Sequence, residues 1–227
     1  MTVPSIFATA RSLSYYSRLQ EVTANNLANA SSEGFKADRM TAQSFSEVWP
    51  EALMSLDLKQ GTVRDTARPL DIALEGDGFL VVNTPDGERL TRGGGFEINQ
   101  QGFLVDRDGN NVLGREGPLH IAGREVVIEQ DGTVVVDGAR AGQLRLETVA
   151  TPVELAKEGH GRFRPLGALQ EALEVRVTQG AIEDANVDAL MGTVDLIQIQ
   201  RAYAAGVDAL RTLDDVMSVI TTEVGRV

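Results

Sequence analysis

From about Asn186 to Glu223 the chain runs without proline, has Gly192 and Gly206 as its only glycines, and spaces apolar residues three and four apart. A helix over that span measures ~55 Å at about 1.5 Å per residue, longer than a small β domain can cover. Much of its stripe therefore needs another partner. Val187, Leu190, Val194 and Ile197 begin the stripe. Ile199, Tyr203, Gly206, Leu210, Leu213, Met217, Ile220 and Val224 continue it after a slip of frame.

A partner stands at the other end of the chain. Ser5 to about Asn29 contains neither Gly nor Pro, and Ile6, Ala10, Leu13, Ser17, Gln20, Ala24 and Leu27 recur at helical spacing. This helix is expected to stop near Ala30 to Gly34, where two serines and a glycine able to take positive φ provide C-terminal punctuation. The pattern at both ends is that of coiled-coil pairing. The alternative is that both helices pack on a sheet in one compact α+β fold.

Between them, from about Pro69 to Pro165, glycine is dense and short β-branched or aromatic runs alternate with turn dipeptides. Phe79–Val82, Phe103–Val105, Val126–Ile128, Val134–Val136 and Gln143–Val149 read as strands. Asp108-Gly109, Asp131-Gly132 and Asp137-Gly138 are among the turns. The predicted fold class is α+β: long N- and C-terminal helices paired as a coiled coil around a central antiparallel all-β domain.

Composition removes several function classes. A net charge of −12 opposes binding to nucleic acid, which needs clustered cations to replace counterions. The absence of cysteine excludes disulfides, thiolate metal sites and a Cys nucleophile. His120 and His160 are the only histidines and do not sit at ligand spacing. Asp106, Asp108 and Asn110 imitate the start of a calcium loop. However, Asn111 stands where that loop needs Gly and Gly117 where it needs Glu, so a hairpin turn is expected. Gly93-Gly94-Gly95 lacks the Lys-Ser/Thr of a phosphate cradle and reads as a bend or bulge. No Gly-x-Ser-x-Gly elbow exists, and Asp214-Asp215 are adjacent helical positions that do not face each other. No catalytic residue, cofactor or metal is expected. The start MTVPSIFATA has no basic n-region, so no cleavable signal peptide is expected, and no apolar run approaches the roughly 20 residues that span a bilayer.

Five stretches carry a resemblance. Ala24–Lys36 reads ANNLANASSEGFK, Pro69–Val82 PLDIALEGDGFLVV, Leu90–Gly114 LTRGGGFEINQQGFLVDRDGNNVLG, Gln179–Asp188 QGAIEDANVD and Leu196–Tyr203 LIQIQRAY. In this order they resemble the bacterial flagellar rod, hook and hook-associated proteins over nearly the whole chain. Gly94 stands where the resemblance has Asp or Asn, and Ala185 where it has Ser.

The resemblance implies an inner coiled-coil domain from residues 1–33 and 186–227, an extended connector at 34–68, an outer β domain at 69–165 and a return connector at 166–185. It implies a structural subunit and no enzyme. Partners would be other copies of the chain, other rod or hook proteins and the flagellar type III export apparatus, with no membrane insertion and a place in the periplasmic part of the basal body. The β region has no room for a further outer domain, which favours a rod subunit over a hook subunit. The sequences at the two ends are more similar to the proximal-rod type than to the distal-rod type. The implied assembly interface takes Asn25, Asn26, Leu27 and Asn29 from the first helix end, Gly34 and Phe35 from the joint after it, and Asn186 and Val187 before the second helix. Along that helix it takes Leu190, Val194, Ile197, Arg201, Tyr203, Leu210, Leu213, Met217 and Ile220. Arg201 reads either as a snorkelling side chain on a helix flank or as half of an ion pair with a neighbouring subunit. The asparagines read either as a frayed helix end or as hydrogen-bonding groups between subunits.

Overall fold

The computed structural model describes residues 3–41 and 53–224. Two compact units emerge, one holding both helices and the other the β structure of residues 55–187 together with residues 29–37.

In the helical unit, α1 spans Val3–Ala28 and α2 spans Ala189–Val224. The start of α2 is capped by Asp188, whose Oδ1 accepts from the amides of Leu190 and Met191 at 2.9 and 3.0 Å. That satisfies two otherwise orphaned donors and places a carboxylate at the positive end of the helix dipole, each effect worth about 1 kcal/mol. The helices pack on each other. Gly192 lies against Leu27 and Gly206 against Leu13, so the pair is antiparallel, with the same separation between contacts along each helix.

Val207 apart, the less exposed of the described α2 side chains are Gly192, Leu196, Ile199, Ala202, Gly206, Leu210, Leu213 and Met217. They form a single 3/4 row, so the expected slip of frame is not present. Leu190, Val194 and Ile197, expected to begin that same stripe, are rotated about half a turn away at 100° per residue and are 76%, 40% and 45% exposed. On α1, Leu13, Gln20 and Leu27 are half-buried as expected, but Ala10, Ser17 and Ala24 are exposed and Val22 is the buried residue among the described side chains of the helix. The side chains of Ile6, Ile220 and Val224 lie outside the described residues.

The β unit is antiparallel throughout its described ladders. Its largest sheet runs in the order Leu155–Gly159, Arg162–Pro165, Gly87–Thr91, Phe79–Thr84, Asn111–Gly114, Leu104–Val105 and Glu97–Ile98. Phe79–Thr84 shows why the run FLVV is continuously apolar. Leu80 and Val82 point into the main core with Ile72, Leu74, Leu104 and Leu144, whereas Phe79 and Val81 point into a second core with Leu90, Leu113, Leu155 and Phe163. A strand covered on both faces has no polar face to alternate with. The Asp106–Asn110 segment is the expected hairpin turn: the Asp106 carboxylate accepts from the amides of Asp108 and Asn110 at 3.0 and 2.8 Å.

Two expected connectors carry more structure than extended chain. The span 34–68 holds the strands Asp38–Thr41, Leu53–Leu56 and Val63–Asp65; residues 42–52 lie outside the described residues. The span 166–185 holds Gln170–Glu171, Arg176–Gln179 and Ala181–Glu183. Arg176–Gln179 pairs with Ile72–Glu75, and Ala181–Glu183 with Val63–Asp65, so the return span and residues 34–37 and 55–68 belong to the β unit, whereas 38–41 and 53–54 belong to the helical unit. Long-range pairing supplies order that neither span shows locally.

Candidate functional site

The segment 29–37, by which the chain enters the β unit, lies beside the segment 181–187 by which it leaves. Gly34 has φ of 63° and donates its amide to the carbonyl of Glu183 at 2.7 Å. It is not the cap of α1, which ends at Ala28. It sits in a later turn pressed on the Arg92–Gly93 peptide, where an added Cβ would come 2.3 Å from the Arg92 carbonyl carbon. Phe35 is buried, with the Lys157 ammonium 3.9 Å from its ring centroid. Asn186 ties the two segments together. Its amide donates to the Phe35 carbonyl at 3.2 Å, its side-chain oxygen accepts from the Ala37 amide at 2.7 Å, and its side-chain nitrogen donates to the carbonyls of Asp57 and Lys59 at 2.7 and 3.0 Å. Val187 is half-buried.

A buried ion cluster underlies this joint, and sequence reasoning missed it. Lys36 Nζ donates to Glu183 Oε1 at 2.6 Å and to the Lys59 carbonyl at 2.7 Å. Arg92 donates to Glu183 Oε2 at 3.1 Å, and Glu183 Oε1 also accepts from the Gly61 amide at 2.9 Å. All three charged side chains are almost wholly buried. Burial pulls the Lys36 ammonium below the ordinary lysine range, against the opposing pull of the Glu183 carboxylate. The available signal was one charge inside each of three quoted stretches: GFK, LTR and AIE.

Gly94 packs on the strand Ile72–Glu75, and its carbonyl accepts from Ile72 at 2.9 Å. An added Cβ there would lie 1.7 Å from the Ile72 carbonyl oxygen, so in this chain the position where the resemblance has Asp or Asn accepts no side chain.

In the helical unit, Asn26 bridges backbone: its side-chain oxygen accepts from the Asp38 amide at 3.0 Å and its nitrogen donates to the Asp38 carbonyl at 2.9 Å. Asn25 is exposed, and Asn29, in the β unit, is half-buried and accepts from the Ser32 hydroxyl at 3.3 Å. Leu27, Leu210, Leu213 and Met217 are half-buried. Leu190, Val194 and Ile197 share the opposite face of α2 with the exposed Arg201, while Tyr203 lies beside the inner row and is 37% exposed. The residues expected at an assembly interface thus divide into a joint, an inner helix row and an outward apolar row.

A cavity of about 370 Å³ in the β unit is lined by Glu33, Asp106, Arg107, Asp108 and His160 among others. Its charges are paired: Arg107 with Glu33 at 2.5 Å, and Asp108 with Arg162 at 2.8 Å and His160 at 3.2 Å. Among the described residues no cluster of His, Asp and Glu has the arrangement of a metal site, and no helix is long and apolar enough to cross a membrane.

Three family models match. Residues 12–36 match one described as flagella basal body rod protein, residues 73–159 one described as flagellar hook protein FlgE/F/G D1 domain, and residues 178–223 one described as flagellar basal body rod FlgEFG protein C-terminal. The chain is 33% identical to the flagellar basal-body rod protein FlgF of Escherichia coli, over 86% of this chain and 88% of that one. It is 30% identical to FlgF of Caulobacter vibrioides, over 81% and 82%. Similarity extends to the flagellar basal-body rod protein FlgG of Bacillus subtilis, at 26% identity over 87% and 90%.

Proposed function

The chain belongs to the flagellar basal-body rod protein family as a structural subunit of FlgF/FlgG type, and from that premise we propose that it polymerises in the proximal rod through its terminal helices. The family is structural and not enzymatic, and its members belong to the basal body. In the proposed tube, α1 and α2 pair as a coiled coil, subunits add to copies of themselves and to other rod or hook proteins, and the assembly transmits torque. The chain reaches its periplasmic site through the flagellar type III export apparatus.

One observation carries the assembly reading. α2 has two apolar rows, an inner one toward α1 and an outward one at Leu190, Val194 and Ile197 that stands exposed. A helix apolar on opposite sides needs a partner on each. A neighbouring subunit supplies the second, and Arg201, on the same outward face, stands where an ion pair with that neighbour would form.

The test is Ile197→Glu. The isolated protein should melt at a nearly unchanged temperature, because the side chain stands on the exposed face of the helix, while rod assembly and swimming are lost. A motile strain carrying Ile197→Glu overturns the assembly reading. A density map of the isolated basal body then separates proximal from distal placement.

A further inference from the structure

We infer that residues 175–186 act as a closing strap, so that the β unit completes its fold only once this late segment of the chain has arrived. The inference concerns the order of folding and goes beyond the rod's assembly.

The strand Ile72–Glu75 is at the centre of the case. Ile72, Ala73 and Leu74 are fully buried, Ile72 and Leu74 in the main core, and among the described strands the ladder partner of this segment is Arg176–Gln179. Without the strap, its edge would carry unpaired amides and carbonyls in an apolar interior, a state that folded proteins avoid. Val175 and Val177 would also leave the same core.

Three polar features act in the same direction. Gln179 donates to the carbonyls of Pro69 and Val126, both at 2.8 Å, and accepts from the Ile128 amide at 3.1 Å, joining segments far apart in sequence. Gly180 accepts from the amides of Thr66 and Ala67 at 2.7 and 3.1 Å and donates to the Asp71 carbonyl at 2.8 Å. Glu183 is the anion between Lys36 and Arg92, so before it arrives the folding domain would have to bury two cations close together. Buried charge left without its counter-ion opposes closure, whereas the complete cluster permits it. The strap thus supplies a strand, two core side chains and the neutralising charge at once. Because its contacts reach back across more than half the chain, local folding cannot substitute for them.

Native-state hydrogen exchange on the full chain tests this. The amides of 72–75 and 176–183 should exchange in the same cooperative opening as those of the Phe79–Thr84 and Gly87–Thr91 hairpin, with the same denaturant dependence. If the hairpin and its neighbours stay protected while 72–75 and 176–183 exchange through a separate, smaller opening, the strap is a local flap and the inference fails. Full-length chains stalled on the ribosome provide the second measurement. Protease resistance of the β unit should appear only when the linker is long enough to bring residue 187 out of the exit tunnel. Resistance that appears when residue 175 has emerged and the strap is still inside overturns the inference.

Discussion

At Gly34 a φ of 63° coincides with the backbone of Arg92 where a side chain would begin, so both conformation and space exclude other residues. Gly34→Ala should destabilise the β unit by ~2 kcal/mol or more, combining the left-handed penalty with displacement of the joint, as a fall in the urea midpoint of the isolated protein. As sequence, Gly34 reads as the end of α1, which implies an assembly defect with little effect on melting; the structure relocates the damage to the β unit itself. Glu183 has a different weakness. Glu183→Gln leaves Lys36 and Arg92 buried without an anion, and the loss should be ~3–5 kcal/mol in the same measurement. Lys36 also sets an alkaline response. Its folded value lies below its unfolded one, so between the two the unfolded chain binds more protons and stability rises with pH towards the ordinary lysine value near 10.5. Lys36→Met should abolish that rise when midpoints are compared at about pH 8 and about pH 10.

Among the elements, α2 was the most legible in the sequence, since 36 residues without proline and with a 3/4 repeat allow little else. What the repeat could not tell was that two apolar rows half a turn apart were being read as one row with a slip, because either row alone satisfies the spacing. The strand Phe79–Thr84 was legible because both its faces are buried. Arg162–Pro165 and Arg176–Gln179 were not, because their polar residues find partners far away in sequence: Arg162 meets Asp106 and Asp108, and Gln179 meets Pro69 and Val126. The ion cluster was hidden for the same reason, as Lys36 and Glu183 are 147 positions apart. The helix pair gives a contrast between its two glycines. An added Cβ at Gly192 would meet Leu27 at an ordinary 3.8 Å, whereas one at Gly206 would come 2.8 Å from Leu13. Gly192→Ala should therefore raise helicity, gaining up to about 1 kcal/mol of propensity, and Gly206→Val should lower it through overpacking of about 1–3 kcal/mol. Circular dichroism at the helix band compares the two.

Across the whole molecule, the division between helical and β units sets what an isolated monomer should do. Its helix α2 presents an exposed apolar row at Leu190, Val194 and Ile197, while residues 29–37 and 55–187 close on their own cores. Limited proteolysis of a verified monomer should remove residues 1–28 and 188–227 first and leave a resistant β fragment; helices as resistant as that fragment would count against the division. Truncation after Ala205 should likewise leave the β unit folded, because its last residue is Val187. Asp131 is held below the ordinary carboxylate range by hydrogen bonds from the Thr133 amide and hydroxyl. The bond between Gly34 and Glu183 has a further meaning for how such a chain can change over time. The first and last segments of the β unit adjoin, so topologically it is an excursion inserted between two helices and interrupted by the return of residues 38–41 and 53–54 to the helical unit. An excursion with adjoining ends can be enlarged, pared down or exchanged for another at its far side while the doorway stays the same width, leaving the helices free to keep whatever contacts they make.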